Sequence, residues 1–181
     1  HTMPLGTVYD NGSGIRLGQM AGADVAHMES LSIWRFLSPP SDFIRGVVVD
    51  AKGKRILNED LYGATFTKKM VEQHDGKGYL FVDRDIWEAA KRNGPKESLS
   101  FQASMMRYLF IRGHKKANSI GELARKVKLP EDKVLETITE YNNAIFLGKD
   151  EPMHKLTEAA TPLMRLHFYF VNVSIKNARV N

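Results

Sequence analysis

Two stretches of the 181-residue chain carry residue types at spacings that could do chemistry. The first is Tyr9-Asp10-Asn11-Gly12-Ser13-Gly14, a glycine-rich loop that runs into the stretch Ile15 to Ala23. Gly12 and Gly14 let the backbone come close to a ligand, Ser13 can cap, and the expected helix behind them presents free amides and a positive dipole end. That combination suits a phosphate. It is not the dinucleotide fingerprint, because no apolar strand leads into it. The second stretch is Asn58-Glu59-Asp60-Leu61-Tyr62-Gly63, a group of amide and acidic side chains that closes a hairpin. Taken alone, such an end reads as a solvated loop. His27, His74, His114, His154 and His167 stand far apart without metal-ligand spacing, so they read as surface or packing residues and no metal site is expected.

The hairpin that ends at Asn58 begins at Gly46. Val47, Val48 and Val49 are β-branched and favour a strand, Lys52-Gly53 supplies the turn, and the run from Lys54 to Leu57 is expected to pair back as a second strand. Upstream, Met28 to Pro40 is an apolar stretch closed by two prolines, with Trp34 and Phe36 expected in the core. Downstream, Ala64 to His74 has helical spacing with Phe66, Met70 and Val71 on one side, and Asp75-Gly76-Lys77-Gly78 ends it. Tyr79 to Val82 reads as a short buried strand, and Asp83-Arg84-Asp85 opens a helix that Asn93-Gly94-Pro95 should break. Ser98 to Tyr108 reads as helix and Leu109 to Ile111 as extended chain. Ser119 with Glu122 forms a capping box, and Pro130-Glu131-Asp132 starts a helix that buries Val134, Leu135, Ile138 and Tyr141. Phe168 to Val173 is strand-like.

The composition narrows the class. With 43% hydrophobic residues, the chain can form one real core plus additional segments. The net charge of +5 is scattered and interrupted by acids, which describes a solvated basic surface and not a nucleic-acid groove. There is no cysteine, which excludes disulfides and thiolate chemistry. No apolar run is long enough for a membrane span, and a cytoplasmic location is expected. The opening His1-Thr2-Met3 reads as a tag remnant or as a start inside a longer protein.

The order of these segments carries more than any one of them. The loop and helix from Asp10 to Ala23, Arg45-Gly46, Gly53-Lys54-Arg55 with Asn58-Glu59, the apolar strand ending in Asp83, and the stretch Ser119 to Asn142 together resemble the FAD-dependent flavoproteins that include fumarate reductase, succinate dehydrogenase and the 3-ketosteroid dehydrogenases. The resemblance implies an α+β fold, with a small sheet or hairpin packed by helices as the substrate-binding cap. Residues 1–27 would be the edge of the FAD-binding domain, 28–163 the cap and 164–181 the start of the return. Gly12, Ser13 and Gly14 would contact FAD, which the isolated chain is not expected to retain. Asn58 and Glu59 would support the hairpin end beside the substrate. Fumarate reductases carry an arginine shortly after that pair, whereas this chain has Tyr62, which resembles the ketosteroid branch and makes Tyr62 a candidate for proton transfer. Tyr169 resembles a second tyrosine of that branch, although the flanking proline and alanine are replaced. The implied function is oxidation or reduction of a C–C bond next to a carbonyl. The alternatives are a dicarboxylate enzyme clamping its substrate with Arg45 or Arg55, and a catalytically silent cap module. The expected partners are the rest of the flavoprotein and a steroid-like ketone or dicarboxylate, with no nucleic acid.

Overall fold

The computed structural model describes residues 9–28, 40–148 and 153–175, so the expectations for Trp34 and Phe36 lie outside the described residues. The chain divides into two units, His1–Ser32 and Ile33–Asn181. In the first unit, helix α1 spans Ser13–Met20 behind Gly12, whose φ is 75°. Ser13 does not cap it. It is the first helical residue, and its N–H donates to Asn11 Oδ1 at 3.1 Å.

The second unit is built on a four-stranded antiparallel sheet with strands β1 (Val47–Val49), β2 (Tyr79–Asp83), β3 (His114–Ala117) and β4 (Phe168–Asn172), in the order β1-β2-β4-β3. The run near the C-terminus therefore sits in the middle of the sheet, between β2 and β3. Valines, leucine and aromatics at successive positions of β1, β2 and β4 are buried, with Tyr79 half-buried, because helices and loops cover both faces. On one face Phe170 stacks on Tyr79 and meets Phe81 edge-on. On the other, Tyr169 stacks on Trp87 of helix α3.

The hairpin differs from the expectation of two paired strands. Its turn forms as expected, with Gly53 at φ 78° and the Asp50 carboxylate accepting from the N–H groups of Lys52 and Lys54. Beyond the turn only a single bridge, Val49 to Arg55, joins the returning chain to β1. The ladder stops because the next outward N–H of β1, that of Val48, donates to the side chain of Glu59 at 2.9 Å and not to a backbone carbonyl. The true strand partner of β1 is β2.

Helix α2 runs from Gly63 to His74 and buries Phe66, Thr67 and Met70, while Val71 is half-buried. Helix α3 spans Arg84–Glu97 and passes through Asn93-Gly94-Pro95 without the expected break. Pro95 cannot donate to the carbonyl four residues before it, but the helix runs only two residues beyond it, and the Ser98 N–H and hydroxyl both donate to the Gly94 carbonyl and close the end. Gly94 is needed for close approach, since a Cβ there would lie 3.2 Å from both Met106 and Pro40. Helix α4 spans Ala103–Ile111, so Leu109 to Ile111 are helical and not extended. The chain leaves the helix where the Gly113 N–H reaches back to Tyr108 O, at 2.9 Å. Helices α5 (Ile120–Lys126) and α6 (Glu131–Phe146) complete the unit. Ser119 caps α5 by accepting from the Glu122 N–H, and Glu122 accepts in return from the Asn118 N–H. On α6, Val134, Ile138 and Tyr141 are buried as expected, whereas Leu135 points outward at 38% exposure. Strand β3 had no signal in the sequence, since His-Lys-Lys-Ala has neither β-branching nor alternation.

Asp83 closes the connection between sheet and helix. Its buried carboxylate accepts from the Ile86 N–H at the start of α3 and from the N–H groups of Met164 and Arg165. Asp83→Ala removes a helix cap and leaves two further amides without their acceptor, so it is expected to lower stability by about 2–3 kcal/mol in urea unfolding, with Asp83→Asn closer to wild type.

Candidate functional site

The hairpin end is fixed by three successive residues meeting three others far along the chain. Asn58 Nδ2 donates to His154 O at 3.0 Å, Glu59 pairs with Lys155 Nζ at 3.0 Å, and Asp60 Oδ2 accepts from the Leu156 N–H at 2.6 Å. Asn58 Oδ1 also accepts from the Asp60 N–H, which sharpens the bend. Tyr62 follows directly. It stands at the N-terminal boundary of α2, 66% exposed, and its carbonyl accepts from the Phe66 N–H. The backbone that carries its phenol is thus anchored on one side by the 58–60 clasp and on the other by the first turn of α2.

Glu59 is the centre of the clasp. Its side chain is fully buried and ion-paired with Arg55 Nη2 at 2.6 Å and with Lys155, in addition to the bond from Val48. Lys155 is also fully buried and donates to Gly46 O at 2.6 Å. The Tyr141 ring lies under both cations, 4.9 Å from the Arg55 guanidinium and 5.2 Å from the Lys155 ammonium. The Tyr141 hydroxyl accepts from the Thr161 N–H at 3.2 Å. Burial alone would raise the Glu59 carboxyl, but the Lys155 charge and the hydrogen bond and charge of Arg55 outweigh it and hold the group below its ordinary value. Burial depresses the Lys155 ammonium while Glu59 opposes that shift, and the short contacts to Glu59 and Gly46 O suit the charged form. Burial first, and the Glu59 charge second, push the Tyr141 phenol well above its usual range, so Tyr141 stays protonated and does not act as a base.

These shifts carry a pH dependence. The folded-state value of Glu59 lies below the 4.5 of an unperturbed carboxyl, so its contribution is complete above about pH 4.5 and is lost as pH falls through the lower folded value. Urea midpoints measured downward from pH 6 are expected to fall across that window in the wild type and to fall less in Glu59→Gln.

The other residues singled out from the sequence lie elsewhere. Tyr169 is 6% exposed, its ring 4.4 Å from Trp87 and nearly parallel to it, with His114 beside it and the Lys116 ammonium 5.5 Å above. The side chains around its ring come from α3 and β3. Gly12, Ser13 and Gly14 belong to the first unit, where a Cβ at either glycine would meet nothing within 4 Å. Of the two arginines considered for a dicarboxylate clamp, Arg55 is committed to Glu59, and Arg45 reaches Asp42 and the Thr161 hydroxyl. Among the described residues no group of three or more potential ligands could hold a metal ion, and no helix is long and apolar enough to cross a membrane. Sequence reasoning missed Lys155 and the role of Tyr141. The i,i+4 spacing of Arg55 and Glu59 was a usable signal, but nothing around Lys155 marks it as buried.

No protein-family model matches the chain. It is 29% identical over 167 residues to a 3-oxo-5-alpha-steroid 4-dehydrogenase of Comamonas testosteroni, covering 91% of this chain and 31% of that protein. It is 24% identical over 160 residues to an NADH:acrylate oxidoreductase of Vibrio harveyi, covering 80% of this chain and 14% of that protein. The chain thus spans less than a third of the length of either curated relative. Among solved structures, a 3-ketosteroid-Δ4-(5α)-dehydrogenase of Rhodococcus jostii RHA1 in complex with 4-androstene-3,17-dione superposes with a TM-score of 0.68 at 23% identity, over 90% of this chain and 32% of the other. The solution structure of a fumarate reductase flavoprotein subunit from Lactobacillus plantarum gives 0.61 at 16% identity, over 86% of this chain and 98% of the other. The mixed fold of helices on a small antiparallel sheet is therefore shared with parts of both groups of flavoproteins.

Proposed function

We propose that this chain is the substrate-binding cap, with an adjoining edge of the cofactor domain, of an FAD-dependent oxidoreductase acting on a C–C bond next to a ketone, of the 3-ketosteroid dehydrogenase kind. The observation that carries this reading is the similarity to the steroid 4-dehydrogenase across nine-tenths of the chain, joined to an exposed tyrosine at the clasped hairpin end. The residues at the first unit fit a flavin nucleotide in one respect: Gly12, with its positive φ, and Gly14 are unobstructed, so the backbone there admits a close-lying phosphate. FAD, when bound, supplies the hydride chemistry. Tyr62 handles the accompanying proton at the carbon beside the ketone, as an acid in the reductive direction and, deprotonated, as a base in the oxidative one. Asn58, Glu59, Arg55 and Lys155 position it without touching substrate. Tyr169, stacked and buried, serves packing.

A dicarboxylate reductase loses one of its two candidate clamps, since the Arg55 charge is answered by Glu59. The experiment that separates the readings uses the polypeptide that carries this chain together with its flavin-binding part. Dye-coupled oxidation of a saturated 3-ketosteroid is expected, with no reduction of fumarate or acrylate by reduced dye. The opposite pattern would overturn the assignment.

A further inference from the structure

Helix α4 is apolar on two sides. Its inner side packs through buried Met106 and half-buried Leu109 and Phe110. Its outer side, continued backwards by Phe101, carries Met105, Tyr108 and Ile111 at spacings that place them on one stripe, between 46% and 63% exposed. An apolar stripe left exposed on the outer side of a packed helix marks a contact surface. The charge pattern narrows what that is. From Ser98 to Gly121 the sequence holds no Asp or Glu, while Arg107, Arg112, Lys115 and Lys116 are all exposed. Glu97, the acid next to this segment, is engaged by the Ser41 N–H and hydroxyl. A depression of about 600 Å3 lies beside the stripe, with Tyr108 and Ile111 in its wall next to Ser100, Ser104, Arg107 and Arg112.

We infer that the outer face of α4 docks on an anionic lipid surface, with Phe101, Met105, Tyr108 and Ile111 entering the headgroup boundary and Arg107 and Arg112 pairing with lipid phosphates or carboxylates. The combination of large apolar side chains on one stripe with cations alone around it is the pattern of an interfacial helix. A second copy of this chain fits less well, because it would bring the same uncompensated arginines together. The half-exposed side chains of the stripe offer on the order of 400 Å2, about half of one partner's share in a stable protein interface, whereas a bilayer needs no complementary surface. The inference requires that the rest of the polypeptide leave this face open, and it does not depend on which reaction that polypeptide runs.

Cosedimentation of the natural polypeptide that contains this chain with phosphatidylcholine vesicles, with and without phosphatidylserine, tests it. That polypeptide is expected to sediment with the phosphatidylserine vesicles only, and to be released by salt. Arg107→Ala and Arg112→Ala are each expected to weaken that binding about fivefold, and Tyr108→Glu with Ile111→Glu to abolish it, all with the urea midpoint of the wild type. Sedimentation with neither vesicle, equal sedimentation with both, or a concentration-dependent dimer that Tyr108→Glu dissociates while vesicles are ignored would each overturn it.

Discussion

Glu59→Gln is expected to be the most damaging single substitution at the hairpin end, lowering the unfolding free energy by about 3–5 kcal/mol. The amide keeps the shape of the carboxylate but removes the charge that Arg55 and Lys155, side chains 7% and 0% exposed, share. It also weakens the acceptor that ends the β1 ladder at Val48. Removing one partner of a buried ion pair costs more than the intact pair contributes, so the measurement that isolates the effect is a double-mutant cycle. Lys155→Met alone is expected to cost a similar amount, and Glu59→Gln with Lys155→Met less than the sum of the two. Additive losses would mean that the pair is not coupled as the geometry requires. Because residues 58–60 and 154–156 meet in sequence, the same variants are expected to expose the 154–156 segment to proteolysis before the sheet unfolds.

Tyr62→Phe has the largest expected effect on chemistry. It removes one hydroxyl from a ring that is 66% exposed at the boundary of α2, so stability should change by less than about 0.5 kcal/mol. If Tyr62 moves the proton, turnover of the flavin-containing protein on a 3-ketosteroid should fall by about 10²–10⁴-fold with flavin content unchanged. Tyr169→Phe serves as the contrast. It keeps the ring that stacks on Trp87, so it is expected to preserve both fold and turnover. A large loss of turnover in Tyr169→Phe with none in Tyr62→Phe would exchange their roles.

How much of this could be read from the sequence depends on how local the signal was. Helices α2, α5 and α6 were legible because their apolar spacing and caps lie within a few residues of one another, as with Ser119 and Glu122 before Leu123. The turn at Gly53 was legible for the same reason. The second hairpin strand was misread because a side chain, Glu59, takes the hydrogen bond that a strand would have made, and residue type does not show which way that carboxylate turns. Strand β3 was invisible because its pairing with β4 is decided by residues more than fifty positions away. The helix break expected at Pro95 does not occur because packing carries α3 past the one bond that the proline gives up, and Ser98 then closes the helix end on the Gly94 carbonyl. At the site, the sequence marked Asn58, Glu59 and Tyr62, but Lys155 is a lysine in a polar stretch, and only the fold brings it into the core.

Anaerobic titration of the purified natural polypeptide that contains this chain, followed by visible absorption, tests the central claim most directly. The account predicts an oxidised-flavin spectrum that bleaches on addition of a saturated 3-ketosteroid and returns with an external electron acceptor. A protein without a flavin spectrum, or one whose flavin ignores the ketosteroid yet is reoxidised by fumarate after chemical reduction, would contradict it.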